Sequence, residues 1–123
     1  MDQNLGIHIL LVGDTARWRE QAKSVLPEEY TLHVRTDFVG AIEFLADNTT
    51  RINLCILANN LCEKDAGLRI VEELQEADDP RVILYTREIS DASRFHAKEL
   101  GAVVIDMGDT QGLSAAVKTL IEI

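Results

Sequence analysis

Several residue types that mark specialised proteins are scarce in this chain. Two cysteines, Cys55 and Cys62, are too few for a disulfide framework or a zinc site. No apolar run approaches the roughly 20 residues that cross a membrane. Lysine and arginine number 12 against 21 aspartates and glutamates, which leaves no excess of cations to contact nucleic-acid phosphates. We therefore expect no membrane or nucleic-acid partner, and no cofactor, because the phosphate-binding pattern GxGxxG is absent as well.

The remaining composition is that of an ordinary globular protein, with 46% apolar and 27% charged residues and a net charge of −9. A chain of 123 residues is long enough for one hydrophobic core, so we predict a single domain over residues 1–123. The first six residues contain no lysine or arginine and lead directly into an apolar run, unlike a signal peptide. The predicted location is the cytoplasm.

A short apolar run followed by an amphipathic stretch recurs five times along the chain. The runs, read as strands, are Ile7–Val12, Tyr30–Val34, Ile52–Leu57, Arg81–Tyr85 and Ala102–Ile105. Strands that alternate with helices pair in parallel, because each crossover must return over the sheet. The pattern predicts an α/β fold, a (βα)5 doubly wound parallel sheet with helices on both faces. Sheets of this kind bind ligands at the carboxyl ends of their strands.

The predicted helices have apolar residues at helical spacing. Those that the first helix is predicted to bury are Trp18, Ala22, Val25 and Leu26. Those of the fourth helix, which is predicted to end at Gly101, are Ala92, Phe95 and Leu100. Asp14 or Thr15 is expected to cap the first helix, and Asp65 the third.

Three segments carry a resemblance to a known family. They are Ile9-Leu10-Leu11-Val12-Gly13-Asp14, Val82-Ile83-Leu84-Tyr85-Thr86 and Glu99-Leu100-Gly101-Ala102. With the five βα units, they make residues 7–121 similar to the receiver domain of two-component response regulators. The resemblance implies a flavodoxin-like sheet in the order 2-1-3-4-5. Helices one and five are then expected on one face and the other three on the opposite face.

The resemblance also implies a phosphorylation pocket, and this chain departs from it. The family uses two acids after strand one and an acceptor aspartate after strand three to bind Mg²⁺, with a strand-four threonine and a strand-five lysine on the phosphoryl oxygens. The matching positions here are Gly13 and Asp14, Ala58 or Asn59, Thr86 and Gly108. The family's strand-five aromatic falls on Ile105. We therefore predict a degenerate pocket with no metal, in which Asp14 alone is a weak candidate ligand.

Other side chains near these positions have two readings each. Arg87 follows Thr86 and either reaches Asp14 across the pocket or points into solvent. Asp14 is either a helix cap or a binding residue. Asp65 is either the cap of helix three or, in a rearranged site with Asp14, a displaced acceptor.

The resemblance leads to a predicted function and a partner surface. An atypical, stand-alone receiver that is not an enzyme would work in signal transduction by binding a protein, without aspartyl phosphorylation. The face formed by helix four, strand five and helix five would then contain Ser90, Arg94, Lys98, Ile105 and Asp106. Its partner would be a signalling kinase, an output protein or a second copy of the chain. Arg94 and Lys98 share one side of helix four and could meet acidic groups of that partner.

An alternative of another class is a flavodoxin-like domain that binds a small ligand or a nucleotide in the same crevice. His8, His33 and His96 fall on different elements with no shared acid partner, which disfavours catalysis by histidine. Cys55 is predicted to be a buried, inert thiol. Cys62 lies in a predicted loop without a neighbouring histidine or second cysteine, and whether it is reactive stays open.

Overall fold

A computed structural model describes residues 6–47, 51–61, 63–74 and 81–122. Cys62 lies outside these described residues. The strands are β1 (His8–Val12), β2 (Thr31–Arg35), β3 (Leu54–Leu57), β4 (Arg81–Thr86) and β5 (Val103–Asp106). The helices are α1 (Ala16–Ser24), α2 (Phe38–Asp47), α3 (Ala66–Leu74), α4 (Asp91–Glu99) and α5 (Thr110–Glu122). All ten predicted elements are present, with strand ends shifted by one or two residues.

The strands form one parallel sheet in the order β2-β1-β3-β4-β5, as predicted. The central strand β3 is entirely buried, and β1 is buried from Ile9 onward, because helices cover both faces. The edge strands β2 and β5 contain only partly buried and exposed residues. Helix α1 contacts α5, and α3 contacts both α2 and α4, which is the expected division between the two faces.

Helix α1 is shorter than its apolar pattern predicts. Thr15 is its N-cap, and the Thr15 side chain accepts a hydrogen bond from the Trp18 N–H at 3.2 Å. Trp18 and Ala22 are buried as predicted. Val25 forms the C-cap and Leu26 follows it, so both pack against the core from the turn rather than from the helix.

Helix α4 contradicts two of the three residues predicted for its apolar face, whereas Leu100 packs against the core as predicted. Phe95 is 64% exposed, Ala92 is also exposed, and Ala97 is the buried residue of this helix. Polar bonds hold the helix instead. The His96 ring contacts the Glu72 carboxylate of α3 at 2.9 Å, and the Ser93 hydroxyl donates to the Asp65 carboxylate at 3.3 Å. Helical spacing alone could not show which side of α4 faces the sheet.

Within the described ranges, every helix is too short or too polar to cross a lipid bilayer.

Candidate functional site

A crevice of about 330 Å³ opens at the carboxyl ends of the strands. It lies where β1 and β3 diverge to helices on opposite faces, the position at which open α/β sheets bind ligands. Its lining residues are Asp14, Thr15, Arg17, Trp18, Ala58, Asn60, Thr86, Arg87, Glu88 and Met107. Four of the seven predicted pocket residues are therefore in the lining: Asp14, Ala58, Thr86 and Arg87. The other three, Gly13, Asn59 and Gly108, are not.

Gly13 directly follows β1 and lies against the indole ring of Trp18. A Cβ atom at Gly13 would overlap the six-membered ring of Trp18, so any side chain there requires the indole to move. Trp18 is 3% exposed. The indole therefore occupies the volume that a residue-13 side chain would need, and the absence of a side chain at this position is a packing requirement of Trp18.

Tyr85 of β4 forms hydrogen bonds beneath the crevice with two residues of α1 and with the loop that follows β5. The Trp18 indole N–H donates to the Tyr85 carbonyl at 2.6 Å, and the two rings lie 6.1 Å apart. The Tyr85 hydroxyl donates to the Gln21 side-chain oxygen at 2.7 Å and accepts from the Gly108 N–H at 3.0 Å. The one signal of this role in the sequence is a tyrosine inside an apolar strand, because a buried tyrosine needs a partner for its hydroxyl.

Ala58 and Asn59, the two alternatives after β3, point in different directions. Ala58 is among the residues that line the crevice. Asn59 is 1% exposed, and its side-chain oxygen accepts from the Leu68 N–H at 3.1 Å at the start of α3. Its amide group donates to the Asp65 carboxylate at 2.8 Å. Asn59 thus fastens the loop between β3 and α3.

The prediction that Asp65 caps α3 is wrong. Its side chain accepts from Asn59 and Ser93, while the backbone N–H of Leu68 is capped by Asn59. Asp65 has a φ of 61°, a left-handed conformation that is uncommon for residues other than glycine. Its N–H donates to the Asn60 side chain at 3.0 Å, which helps to hold this conformation. Asp65 is not among the residues that line the crevice.

Thr86 ends β4 and is 3% exposed. Its hydroxyl oxygen accepts from the Asn59 N–H at 3.3 Å, and the hydroxyl donates to the Glu88 carbonyl at 3.4 Å. Both distances are long for hydrogen bonds. Thr86 therefore links the loops that follow β3 and β4 through weak bonds.

Charged side chains surround the mouth of the crevice. Asp14 and Glu88 contribute carboxylates, Arg17 and Arg87 contribute guanidinium groups, and all four are exposed. Thr15, not Asp14, is the N-cap of α1. Asp14 is among the residues that line the crevice. Arg87 and Asp14 line the same space, and the two alternatives for Arg87, contact with Asp14 or a side chain that points into solvent, both stay predictions.

The residues present do not fit the Mg²⁺ ion that receiver domains bind. Mg²⁺ takes an octahedral set of oxygen ligands, with carboxylates replacing part of its water shell. Gly13 and Ala58 supply no side-chain oxygen at the two positions next to Asp14. Among the described residues, no group of three histidine, cysteine, aspartate or glutamate side chains is arranged to hold a metal ion.

Gly108 follows β5 and has a φ of 103°. A residue with a side chain is strained in this conformation, so a lysine at this position would require a different backbone. Ile105 is partly buried in β5. The strand end is joined to β4 by the bond from the Met107 N–H to the Thr86 carbonyl at 2.8 Å.

The predicted partner residues lie on α4 and β5. Arg94 and Asp106 form an ion pair at 3.1 Å between these two elements, so they pair within the chain. Ser90 is the N-cap of α4 and accepts from the Ser93 N–H at 3.1 Å. Lys98 is exposed. The ring of Phe95, which is exposed instead of buried as predicted, lies on the same helix.

The fold matches solved signal receiver domains. One, from an HD domain-containing protein of Pseudomonas fluorescens Pf-5, has 24% identity and a TM-score of 0.80 over 99% of this chain and 91% of that one. Another, from a Clostridium thermocellum histidine kinase, has 18% identity and a TM-score of 0.83 over 97% and 100%. This chain has the receiver fold.

A third similar structure is the phosphorylated cyanobacterial phytochrome response regulator RcpA. It has 21% identity and a TM-score of 0.73, and the match covers 95% of this chain and 92% of that chain. No protein-family model matches the sequence. No curated protein matches it either.

Proposed function

We propose that this chain is an atypical receiver domain of a signal-transduction system that works by binding a protein, without aspartyl phosphorylation and without enzymatic activity. The observation that carries the proposal is Ala58. It directly follows β3 and lines the crevice at the position that we assign to the phosphoacceptor. A methyl group cannot attack a phosphoryl donor, because it has no nucleophilic oxygen.

The surrounding substitutions support this assignment, because each makes restoration of the site harder. An acid at residue 13 would overlap Trp18, and a lysine at residue 108 would be strained at a φ of 103°. Asn59, the other candidate for the acceptor position, is committed to the start of α3. We infer that the packing, hydrogen bonding and backbone conformation at residues 13, 59 and 108 disfavour the acid, acceptor and lysine side chains that receiver domains use.

The same contacts favour one conformation. In active receivers, phosphorylation draws the strand-four threonine inward and a strand-five aromatic ring moves into the space that is left. Here Ile105 has a short, branched side chain with restricted χ1. Tyr85 is bonded to Gln21 and Gly108, and Trp18 to Tyr85, which joins α1, β4 and the end of β5. We infer that the partner surface is presented permanently.

The proposed partner surface is the exposed side of α4 with β5, consisting of Ser90, Arg94, Phe95, Lys98, Ile105 and Asp106. It combines an apolar ring that is 64% exposed with a surface ion pair and a lysine. Aromatic and arginine side chains contribute most often to binding energy in protein interfaces. A signalling protein with an apolar pocket and an acidic rim would complement it.

Intact-mass measurement after incubation with Mg²⁺ and acetyl phosphate tests the central proposal. We expect no gain of mass, and a receiver domain that retains its acceptor aspartate serves as the positive control. A gain of one phosphoryl group would contradict the proposal. Loss of that gain in Asp65→Asn would show that the site had been rebuilt around Asp65.

The partner surface is tested by substituting the two exposed large apolar residues separately. Phe95 on α4 is 64% exposed and Val39 on α2 is 60% exposed, so Val39→Gln is a matched control for Phe95→Gln. We expect proteins that co-purify with the wild-type chain to be lost with Phe95→Gln and kept with Val39→Gln. Equal retention by both variants would place the interface elsewhere.

The crevice volume favours one alternative function, the binding of a small ligand. About 330 Å³ lies at the small end of the range for ligand pockets, and Trp18 and Met107 provide apolar lining. Since Trp18 is the single tryptophan, its fluorescence would report entry of a ligand. A saturable change with a nucleotide, abolished by Arg87→Ala, would favour this alternative over the protein-binding function.

A further inference from the structure

Two histidines meet on neighbouring strands, at a distance along the sheet from the crevice. His8 is the first residue of β1 and His33 is in the middle of β2. Nδ1 of His8 lies 3.0 Å from Nε2 of His33, and both residues are partly buried. In the register of the two strands His8 lies opposite Thr31 and His33 lies opposite Leu10, so the two histidines are diagonal cross-strand neighbours.

The ring geometry shows that the two nitrogens face each other directly. The ring planes differ by 21°, and the ring centres lie 5.2 Å apart. That separation is close to the 3.0 Å between the nitrogens plus the centre-to-nitrogen distances of both rings. The nitrogens therefore lie near the line that joins the centres, edge to edge, which is the geometry of a directed N–H···N hydrogen bond.

A bond of this kind needs one donor and one lone pair. With both rings neutral, one N–H donates to the other ring's nitrogen, and the addition of one proton leaves this arrangement possible. With both rings protonated, two N–H groups face each other at 3.0 Å and no acceptor remains. The contact between β1 and β2 is then repulsive. The pair tolerates a first added proton but not a second.

The groups around the pair add to this sensitivity. Burial, the neighbouring His8 and the Arg35 guanidinium together lower the pKa of His33 below its ordinary value of 6.5. On the α2 side, the Phe44 ring lies 5.0 Å from the His33 ring, and Arg35 lies over the same Phe44 ring at 4.7 Å. The carboxylates near Arg35 and Phe44 are Glu43 and Asp47, which are exposed on α2.

The segment before β3 contains an uncharged residue that is bonded to His8 and, two positions earlier, a charged residue. Asn53 is uncharged, and its side-chain oxygen accepts from the His8 N–H at 2.8 Å. Arg51, two residues earlier, is exposed. The carboxylates near the pair, Glu43 and Asp47, are exposed to solvent. Screening by the solvent weakens their attraction for a second proton on the pair.

We propose that the His8–His33 pair is a proton-sensitive joint between β1 and β2, which stabilises their contact and weakens it when both imidazoles become protonated. The sign follows from His33. A lowered pKa in the folded state means that the unfolded chain binds more protons, so the joint contributes its full stability above pH 6.5. This contribution is lost as the pH falls from 6.5 through the lower pKa of folded His33.

Urea unfolding of the whole chain at pH 7.5 and pH 5.0 tests the joint. The variant His33→Gln keeps a hydrogen-bonding group but cannot titrate, and His96→Gln on α4 removes the third histidine as a control. Because the pKa of His33 is lowered in the folded state, we expect acidification to raise the unfolding equilibrium constant more in wild type than in His33→Gln. His96→Gln should follow wild type. Equal pH dependence in wild type and His33→Gln would overturn the proposal.

Imidazole ¹⁵N chemical shifts of the wild-type chain provide a test that needs no variant to fold. At pH 7.5 we expect one of the two facing nitrogens to carry a proton and the other to be bare. In a pH titration, the second ring should become protonated at a lower pH than the first. Independent titration of both rings would refute the joint. An increase in thermal stability on addition of Zn²⁺ that is absent in His33→Gln would also refute it, because the pair would then be a metal-binding site.

Discussion

Gly13 and Trp18 are five positions apart in the chain, yet each determines what the other can be. The indole lies over Gly13, where a Cβ would overlap its six-membered ring, and it is anchored by the bond to the Tyr85 carbonyl. Gly13 does not have a positive φ, so its backbone accepts alanine. The constraint on residue 13 is thus steric and comes from a single side chain.

A double-mutant cycle tests this coupling. We expect Gly13→Ala to lower the free energy of unfolding by about 1–3 kcal/mol, the usual cost of overpacking a core. In a Trp18→Leu background the same substitution should cost much less, because the smaller side chain leaves room for the new methyl group. Urea unfolding of the four proteins gives the coupling. Additive effects would show that Trp18 does not contact residue 13.

Asn59 is the second residue whose role depends on contacts. It is almost fully buried and bonds both Leu68 and Asp65. We expect Asn59→Ala to lower the free energy of unfolding by about 1–3 kcal/mol, because a buried N–H and a carboxylate lose their partner. Asn60→Ala at the exposed neighbouring position is the control and should cost less. The reverse order would contradict the role of Asn59 in starting α3.

At the scale of elements, α4 differs from a typical amphipathic helix. Its buried residue is Ala97, and polar bonds from Ser93, Arg94 and His96 connect it to α3 and β5. Exposed ion pairs contribute little to stability, about 0–1 kcal/mol each. A helix held in this way can display an apolar residue without needing it for packing.

Phe95 tests this view of α4. We expect Phe95→Gln to change the free energy of unfolding by no more than about 0.5 kcal/mol, because the ring is already 64% exposed. Leu113→Ala on α5, a fully buried position, should cost about 2–5 kcal/mol by comparison. Chemical denaturation measures both. A large loss of unfolding free energy in Phe95→Gln would show that this ring packs against the core.

At the scale of the whole molecule, the bonds of Trp18 and Tyr85 connect α1, β4 and the end of β5 behind the crevice. A protein responds to a ligand only if the ligand binds its two states differently. If Ala58 stands in place of the acceptor, as we propose, a phosphoryl group would not supply that difference. Regulation would then come from the partner or from the amount of protein.

NMR relaxation dispersion tests whether the domain has a single dominant conformation. We expect flat profiles at Thr86, Ile105 and along α4, because no phosphorylation-linked alternative packing remains for the isoleucine. Millisecond exchange that links these residues would show that a second conformation survives. The permanent presentation of the α4–β5 surface would then be wrong.

The sequence by itself determined the architecture. Five apolar runs separated by helical patterns allow little besides a parallel sheet with crossovers, since the period of the pattern gives the type of each element and the length of each connection gives its direction. The same local pattern located Asp14, Ala58 and Thr86 at strand ends, and the parallel sheet brings such ends to one edge. Their placement in one crevice required no knowledge of packing.

Only the tertiary structure decided which side chains face that crevice and which partners they have. The exposure of Phe95, the capping of α3 by Asn59 and the meeting of His8 with His33 all depend on contacts between elements. The position of the Trp18 indole over Gly13 is held by its hydrogen bond to the Tyr85 carbonyl of β4. Periodicity constrains where a residue lies on its own element, whereas these features depend on how two elements are placed relative to each other.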